Sequence, residues 1–502
     1  MSTAKKVAGQ SGWFLVGNLY TLFVGFTFQI YLARHIGAEG LGLFGLLQAG
    51  VGALSGLLGL GIAQVMVRFI PEHVRKQEYA ELHSLVRGGF ALLAGLGLVG
   101  ALAVSLSLPL LVGRWPDLAG RESEVLAGTL MLPLGLLLHA SAQALRGFYD
   151  IRYVVIGGSI LQLTAKVLSS IIIFALGFHV VGYLWAVNLS MAVALVWMLF
   201  GIGGHLRRYP SERTRGLRLL PAWRGYAKVM YGNNLLGFWA APLEKFILGL
   251  TASAAAVGVL VVANTLYMLP AVFLQMFLAI VGPMLAAAAS ENKMQEVEKI
   301  YHLSTDWLVR LSLPLIIFLA IFAAPLLGFY GKEFTETGPF LLQLLLAGQL
   351  LNLIAGPIGN VLNMCGRERK MFVINTASIL LRAILLLAIV PVFGLYGLGA
   401  TVVIVLVFSN ASALIVAWKS LGLQWWDAKY KAWCLPSVLT VLAGVGVHYW
   451  VALNMYSLAA SLPLLYLVFH GSYILIHGFN PEDREILDAI RAKLPARIAR
   501  FL

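Results

Sequence analysis

Lysine and arginine recur in this chain in alternate gaps between long apolar runs, and that alternation leaves few folds open. Fourteen runs are read at roughly 11–33, 42–67, 86–111, 125–146, 153–177, 181–203, 229–250, 257–288, 307–329, 338–364, 371–392, 396–418, 433–452 and 455–477. Each comes near the ~20 residues that a helix needs to cross ~30 Å of hydrocarbon. A backbone N–H finds no water there, so the runs are expected as α-helices, which pair their own amides. Of 36 Lys and Arg residues, 28 lie in the even-numbered gaps and the two tails, while the odd gaps hold only Arg34, Arg114, Arg121 and Lys332. Cations collect on the cytoplasmic side, so a multi-pass protein of the cell membrane is expected, with both termini cytoplasmic. The net charge of +14 is then a rim facing lipid headgroups. No basic patch is interleaved with aromatics outside the membrane, so the bilayer is an expected partner and nucleic acid is not.

Little remains for soluble chemistry. The longest hydrophilic connection is about 205–228, and it is basic. The first apolar run is too long for a cleaved signal and reads as a retained anchor. The two cysteines, Cys365 and Cys434, make no disulfide framework and no metal spacing. No phosphate-binding glycine loop and no nucleophile–base pair is visible. The acidic cluster Asp117, Glu122 and Glu124 reads as a solvated loop. No catalytic residue, metal or cofactor is expected, and the chain is not read as an enzyme. The tail over 480–502 has Asn480 and Pro481 at its start and an apolar stripe at Ile486, Ile490 and Leu494, which reads as an interfacial helix.

An internal repeat is faintly legible. Gly17-Asn18, Gln29 and Leu41-Gly42 recur as Gly232-Asn233, Glu244 and Val257-Gly258, displaced by 215, 215 and 216 residues. Gly158-Ser159-Ile160-Leu161 echoes in Ala377-Ser378-Ile379-Leu380 at 219. Six spans followed by six like spans are parallel repeats, and transporters so built place the substrate path between halves that rock. The expected layout is an all-α polytopic protein of two pseudo-symmetric six-helix lobes, 1–204 and 229–419. A basic linker over 205–228 joins them, an extra helix pair follows over 433–477, and the amphipathic tail ends the chain.

Polar residues are costly in lipid and usually face a bundle interior or a wet cavity. Asn18, Thr21, Gly25 and Gln29 line one face of span one. Asn233, Gly237 and Glu244 do so on span seven, and Gln349, Asn352, Gly356, Asn360 and Asn363 on span ten. Hydrogen bonding between packed helices is the plain reading of any one of them. Two cations are sharper. Lys166 sits mid-span in helix five with Gln162 and Ser170 at i−4 and i+4. Arg382 sits mid-span in helix eleven with Asn375 and Ser378 at i−7 and i−4. Matched cations on corresponding helices point to a hydrated cavity that attracts an anion. Arg382 would grip phosphate through a planar fork and Lys166 would act as a point charge. Glu244, beside Lys245, is the clearest acid within a span and the candidate for proton or Na⁺ coupling. Asp306 and Arg310, at i and i+4, read first as a structural ion pair and second as a gate.

Three segments carry a resemblance. Residues 352–372 and 389–401 hold Gly356-Pro357, Leu362, Met364, Gly366, Arg367 and Arg369, then Pro391, Gly394 and Gly397. Residues 243–264 open on Glu244 and run into Ile247-Leu248-Gly249. Residues 31–49, YLARHIGAEGLGLFGLLQA, are the third segment. Over about 10–420 the chain resembles the polysaccharide flippase branch of the multidrug/oligosaccharidyl-lipid/polysaccharide superfamily. The resemblance implies two facing lobes and transfer of a polyprenyl-pyrophosphate-linked oligosaccharide from the inner to the outer leaflet. Cavity cations would meet the pyrophosphate, and Asn and Gln side chains the sugars. Arg382 departs from the pattern, in which a small polar residue is common. The extra pair of spans resembles that of lipid II flippases. An ion-coupled exporter of small cationic compounds and a membrane glycosyltransferase or polymerase are the competing readings. The first wants acids where this chain has cations, and the second wants a poised acid or base. The glycan, the coupling source (H⁺, Na⁺ or membrane potential) and the oligomeric state are not legible.

Overall fold

The computed structural model describes the backbone of residues 3–478 except 115–119, 212–220 and 453. It describes their side chains except at 3–12, 14, 15, 111, 114, 229, 233–241, 279, 280 and 455. The tail over 480–502, the centre of the 205–228 connection, Asp117 and the Asn233 side chain therefore lie outside the described residues. Every regular element among the described residues is helical.

The helices follow the apolar runs. α1 (Thr3–Leu58) carries the first two spans in one continuous element and α2 (Ile62–Lys76) continues it. α3 (Tyr79–Arg114) is the third span, and α4 (Glu122–Thr129) with α5 (Met131–Gly147) the fourth. The fifth is α6 (Ile151–Val154), a π-helical stretch Val155–Leu161, and α7 (Gln162–Ala175). α8 (Val180–Arg208), α9 (Pro221–Thr251) and α10 (Ala254–Ser290) are the sixth to eighth. α11 (Met294–Ile321) and the short α12 (Ala323–Gly328) follow. α13 (Gly338–Ile354) and α14 (Ile358–Met364) then form one span bent by 41°. α15 (Glu368–Leu421) holds spans eleven and twelve, and α16 (Cys434–Trp450) and α17 (Met455–His477) close the bundle. Among the described residues ten helices are long and apolar enough to cross a bilayer, or eleven with the bent pair. Two of these, α1 and α15, hold two expected spans each, and α9 holds the seventh. This is a multi-pass all-α membrane protein.

Where the boundaries depart from the hydropathy reading, the backbone gives the reason. Spans one and two meet at a kink, with Gly37 at φ 68 and ψ −178. Only glycine enters that region without strain, so the turn needs no loop. Span two was expected to run to residue 67, but it breaks at Gly59–Gly61, where Leu60 and Gly61 have φ of 48 and 72. The separate α2 buries Val65, Met66, Phe69 and Ile70 and turns Arg68, Arg75 and Lys76 outward. Span nine begins well before residue 307, because the polar-looking turns from Met294 are amphipathic and bury Val297 and Tyr301.

By contact the chain forms two compact units, Met1–Val262 with Tyr330–Phe334 and Ala383–Leu398, and Ala263–Phe329 with Thr335–Arg382 and Gly399–Leu502. The first is cored by α2, α3, α5 and α8 around Met66, Ile70, Leu82 and Leu145, with Trp223 closing one end. Within it, α1 and α10 touch backbone to backbone at two places. A Cβ on Gly42 would overlap the carbonyl oxygen of Ala254, and a Cβ on Gly258 that of Ala38. Both pairs are related by the 216-residue displacement of the repeat.

The second unit is cored by the ends of α10 and α15 with α11 and α14, around Leu285, Tyr301, Val361 and Ala417. α16 and α17 are held to α11 by polar bonds. The Trp433 indole donates to Asp306 (2.7 Å) and the Tyr466 hydroxyl donates to the Leu311 carbonyl (2.7 Å).

Candidate functional site

In the first unit the candidate residues gather where α1 crosses the fifth span. Gly17 lets α1 approach closely, since a Cβ there would stand 2.6 Å from Val155. The Tyr20 and Thr164 hydroxyls are 2.6 Å apart. Thr164 donates its own proton to the Ile160 carbonyl, so Tyr20 is the donor between them. Two residues on, Lys166 places its ammonium 5.6 Å from the centroid of the Phe28 ring. A cation over an aromatic face is stabilised by the ring quadrupole, more so when desolvated. Lys166 is half-buried, and among the described residues no carboxylate stands within ion-pair distance of it.

Its expected neighbours divide. Gln162 lies one turn before it on α7 and is half-buried. Ser170, one turn after, is buried and donates to the Lys166 carbonyl (2.6 Å), so its hydroxyl is spent on the helix. The π-helical turn Val155–Leu161 stands immediately before Gln162, and such single-turn π segments concentrate at functional sites. On α1, Asn18 is exposed and Gln29 half-buried. At 100° per residue they lie beside the face of Gly17, Tyr20 and Phe28 that packs on the fifth span. Glu244 and Lys245 are both half-buried on α9. As successive residues they point about 100° apart and do not face each other.

In the second unit the candidates spread over three helices. Gln349 is buried on α13, and its amide nitrogen meets no hydrogen-bond partner among the described residues. Asn352, one turn below, accepts from Asn410 on α15 (3.1 Å), a packing bond between helices. Asn360 on α14 is half-buried, near Gly282. Asn375 is exposed on α15 and Arg382 half-buried. Ser378 is buried and donates to the Ile374 carbonyl (2.8 Å).

Asp306 and Arg310 form a buried pair, Nη1 to Oδ2 at 3.2 Å. The other carboxylate oxygen takes the Trp433 indole proton, and the guanidinium carbon stands 4.1 Å from the centroid of the Tyr473 ring. This arrangement joins α11 to the last two spans.

Sequence reasoning missed Phe28, Asn410, Trp433, Tyr473 and Glu333. Glu333 accepts from the Ala38 amide (2.8 Å) at the Gly37 kink, placing a carboxylate at the positive start of a helix. Asn410 could have been found as a lone amide in an apolar run. The aromatics carry no signal, since aromatic residues are ordinary in spans.

The family model described as polysaccharide biosynthesis protein matches residues 7–289, and that described as MatE matches residues 233–387. A curated relative, the "probable low-salt glycan biosynthesis flippase Agl15" of Haloferax volcanii, is 23% identical over 436 residues, covering 84% of this chain and 85% of that protein. The lipid II flippase MurJ in an inward closed conformation superposes with a TM-score of 0.71 at 12% identity, over 92% of this chain and 98% of its own. An inward-facing multidrug resistance MATE family transporter of the same superfamily gives 0.60 at 16%, over 80% and 94%. The fold is that of these transporters.

Proposed function

We propose that this chain, which belongs to the polysaccharide biosynthesis protein family, carries a polyprenyl-pyrophosphate-linked oligosaccharide from the cytoplasmic to the outer leaflet of the cell membrane. It is a membrane transporter, not an enzyme. The reading rests on its kinship with a glycan flippase and on one residue. Lys166 is a cation within a span, held over an aromatic ring with no carboxylate in ion-pair distance among the described residues. An uncompensated cation at a helix centre costs about 2.5–3.5 kcal/mol on the insertion scale. That cost is recovered when an anionic headgroup reaches it. Arg382 on the matching helix supplies the second cation. Gln162, Asn18, Gln29, Asn233, Gln349, Asn352, Asn360 and Asn375 offer amides for sugar hydroxyls, though Asn352 already serves Asn410.

The six-helix lobes 1–204 and 229–419 rock about the repeat-related glycine contact, and the cargo crosses between them. The membrane potential is negative inside and favours outward movement of an anion, by about 2.3 kcal/mol per uncompensated charge per 100 mV. Glu244 is the candidate for H⁺ or Na⁺ coupling. The MatE match leaves the exporter of cationic compounds as the second reading, and the intramembrane cations Lys166 and Arg382 oppose it.

Reconstituted vesicles carrying a labelled polyprenyl-pyrophosphate glycan test the proposal. Wild type is expected to move label between leaflets, Lys166→Gln at least tenfold more slowly, and Lys166→Arg at near wild-type rate. Unchanged transport in a folded Lys166→Gln/Arg382→Gln double variant removes the anion site. Efflux of a cationic dye without glycolipid movement replaces the reading with the exporter.

A further inference from the structure

The first unit contains a cavity of about 640 Å³ between α1 beyond the Gly37 kink, α3, α4, α9 and the start of α10. Its walls are apolar, with Leu43, Leu46, Leu47, Val51, Leu54 and Phe246 contributing most. Two polar side chains in the wall hold local hydrogen bonds. Thr129 donates to the Leu126 carbonyl (2.7 Å), and Ser253 accepts from the Ala256 amide (3.1 Å). At the rim stands one ion pair, Glu39 with Arg121. The Glu39 side chain is 63% exposed and that of Arg121 29%, so both charges face outward. Glu39, Arg121 and Ser253 all lie in gaps away from the basic ones. The α1 wall runs from Glu39 to Leu54, about 22 Å at 1.5 Å per residue. An acyl chain ordinarily spans half of a hydrocarbon core of about 30 Å, and the wall is long enough to take one.

We propose that this cavity binds one acyl chain of a zwitterionic glycerophospholipid from the leaflet opposite the basic rim. Its phosphate meets Arg121 and its ammonium meets Glu39. Charge complementarity selects this occupant. A rim bearing one cation and one anion matches a headgroup bearing one of each, whereas a pyrophosphate would meet Glu39 with like charge. The interior asks for hydrocarbon, because its walls offer few polar groups to orient anything else. Gly50 keeps the channel open; a Cβ there would be 3.7 Å from Phe246, so a longer side chain projects into the void without forcing the backbone. The inference is independent of which cargo the protein carries.

Native mass spectrometry of the full chain, released from vesicles of phosphatidylethanolamine and phosphatidylglycerol, tests it. Wild type is expected to retain one phosphatidylethanolamine. Gly50→Leu is expected to lose it at least tenfold, and Gly52→Leu to keep it, since a Cβ at Gly52 meets nothing within 4 Å. Glu39→Gln is expected to abolish the preference for phosphatidylethanolamine over phosphatidylglycerol. Should Gly50→Leu not fold, wild type in vesicles with a diazirine-tailed phosphatidylethanolamine decides. Label within residues 39–54, 121–132 or 246–255, or at Val104, supports the site, and label only elsewhere overturns it. Retention of the adduct by folded Gly50→Leu, or a polyprenyl phosphate as the retained mass, also overturns it.

Discussion

Replacing Arg310 by methionine takes the guanidinium from a carboxylate that is only 6% exposed. Asp306 would keep the Trp433 indole proton at 2.7 Å but lose the charge at 3.2 Å. Breaking a buried pair on one side costs about 3–5 kcal/mol, because the remaining charge stays desolvated. Asp306→Asn with Arg310→Met removes both charges and preserves an acceptor for the indole. Its cost should be well below that of Arg310→Met alone, since paired removal is often close to neutral. Trp433→Phe withdraws one hydrogen bond to a charged acceptor, about 1.5–3 kcal/mol. Trp433 lies in the turn leading into α16, so its loss should loosen the last two spans first. Unfolding of the purified protein in mixed detergent and dodecyl sulfate micelles gives the free energies, and protease sensitivity of the 422–433 connection reports the local loosening. The reasoning fails if Arg310→Met costs under about 1 kcal/mol, or if the two substitutions simply add.

Other outcomes follow from the same geometry. Glu333→Gln weakens a charged helix cap and should cost about 0.3–1 kcal/mol, less at high salt, measured by the same unfolding titration. Asn410→Ala leaves the Asn352 amide without its donor and should cost about 0.6 kcal/mol, the average for such bonds between membrane helices. Gly258→Leu forces α10 from the Ala38 carbonyl and should abolish transport while a thermal-shift assay still reports a folded protein. Asp150, in the gap before α6, is held below the ordinary carboxylate range chiefly by the His205 hydrogen bond, aided by Arg152. A depressed folded value means stability that is present above the unfolded value and lost as pH falls through the folded one. The advantage of wild type over Asp150→Asn should therefore persist at neutral pH and begin to shrink as pH falls below about 4; a constant difference down to pH 3 contradicts it.

The apolar helices were legible because lipid imposes one rule on every stretch, apolar and helical. The finer backbone was not. The π-helical turn at 155–161 sits in a run whose composition is that of any span. The kink at Gly37 differs from a loop only in one torsion angle. Lys166 stood out by its charge, but Phe28, 138 residues earlier, became its neighbour only through the packing of α1 on the fifth span. Asp306 and Arg310 could be paired from their spacing, whereas their attachment to Trp433 and Tyr473 could not. Periodicity names the face of a helix and is silent on what will cover it.

The glycines at 42 and 258 stand 216 residues apart, and each packs against the main chain around the other. Each is answerable to a main-chain atom of the other half, and no exchange of side chains elsewhere can relieve a clash with a peptide oxygen. A side chain at either position is therefore blocked by the main chain of the facing helix, Ala254 for Gly42 and Ala38 for Gly258. Ancestral duplication should stay readable longest at such mutual constraints, and a search for ancient copies in other chains would do well to begin with reciprocal glycines.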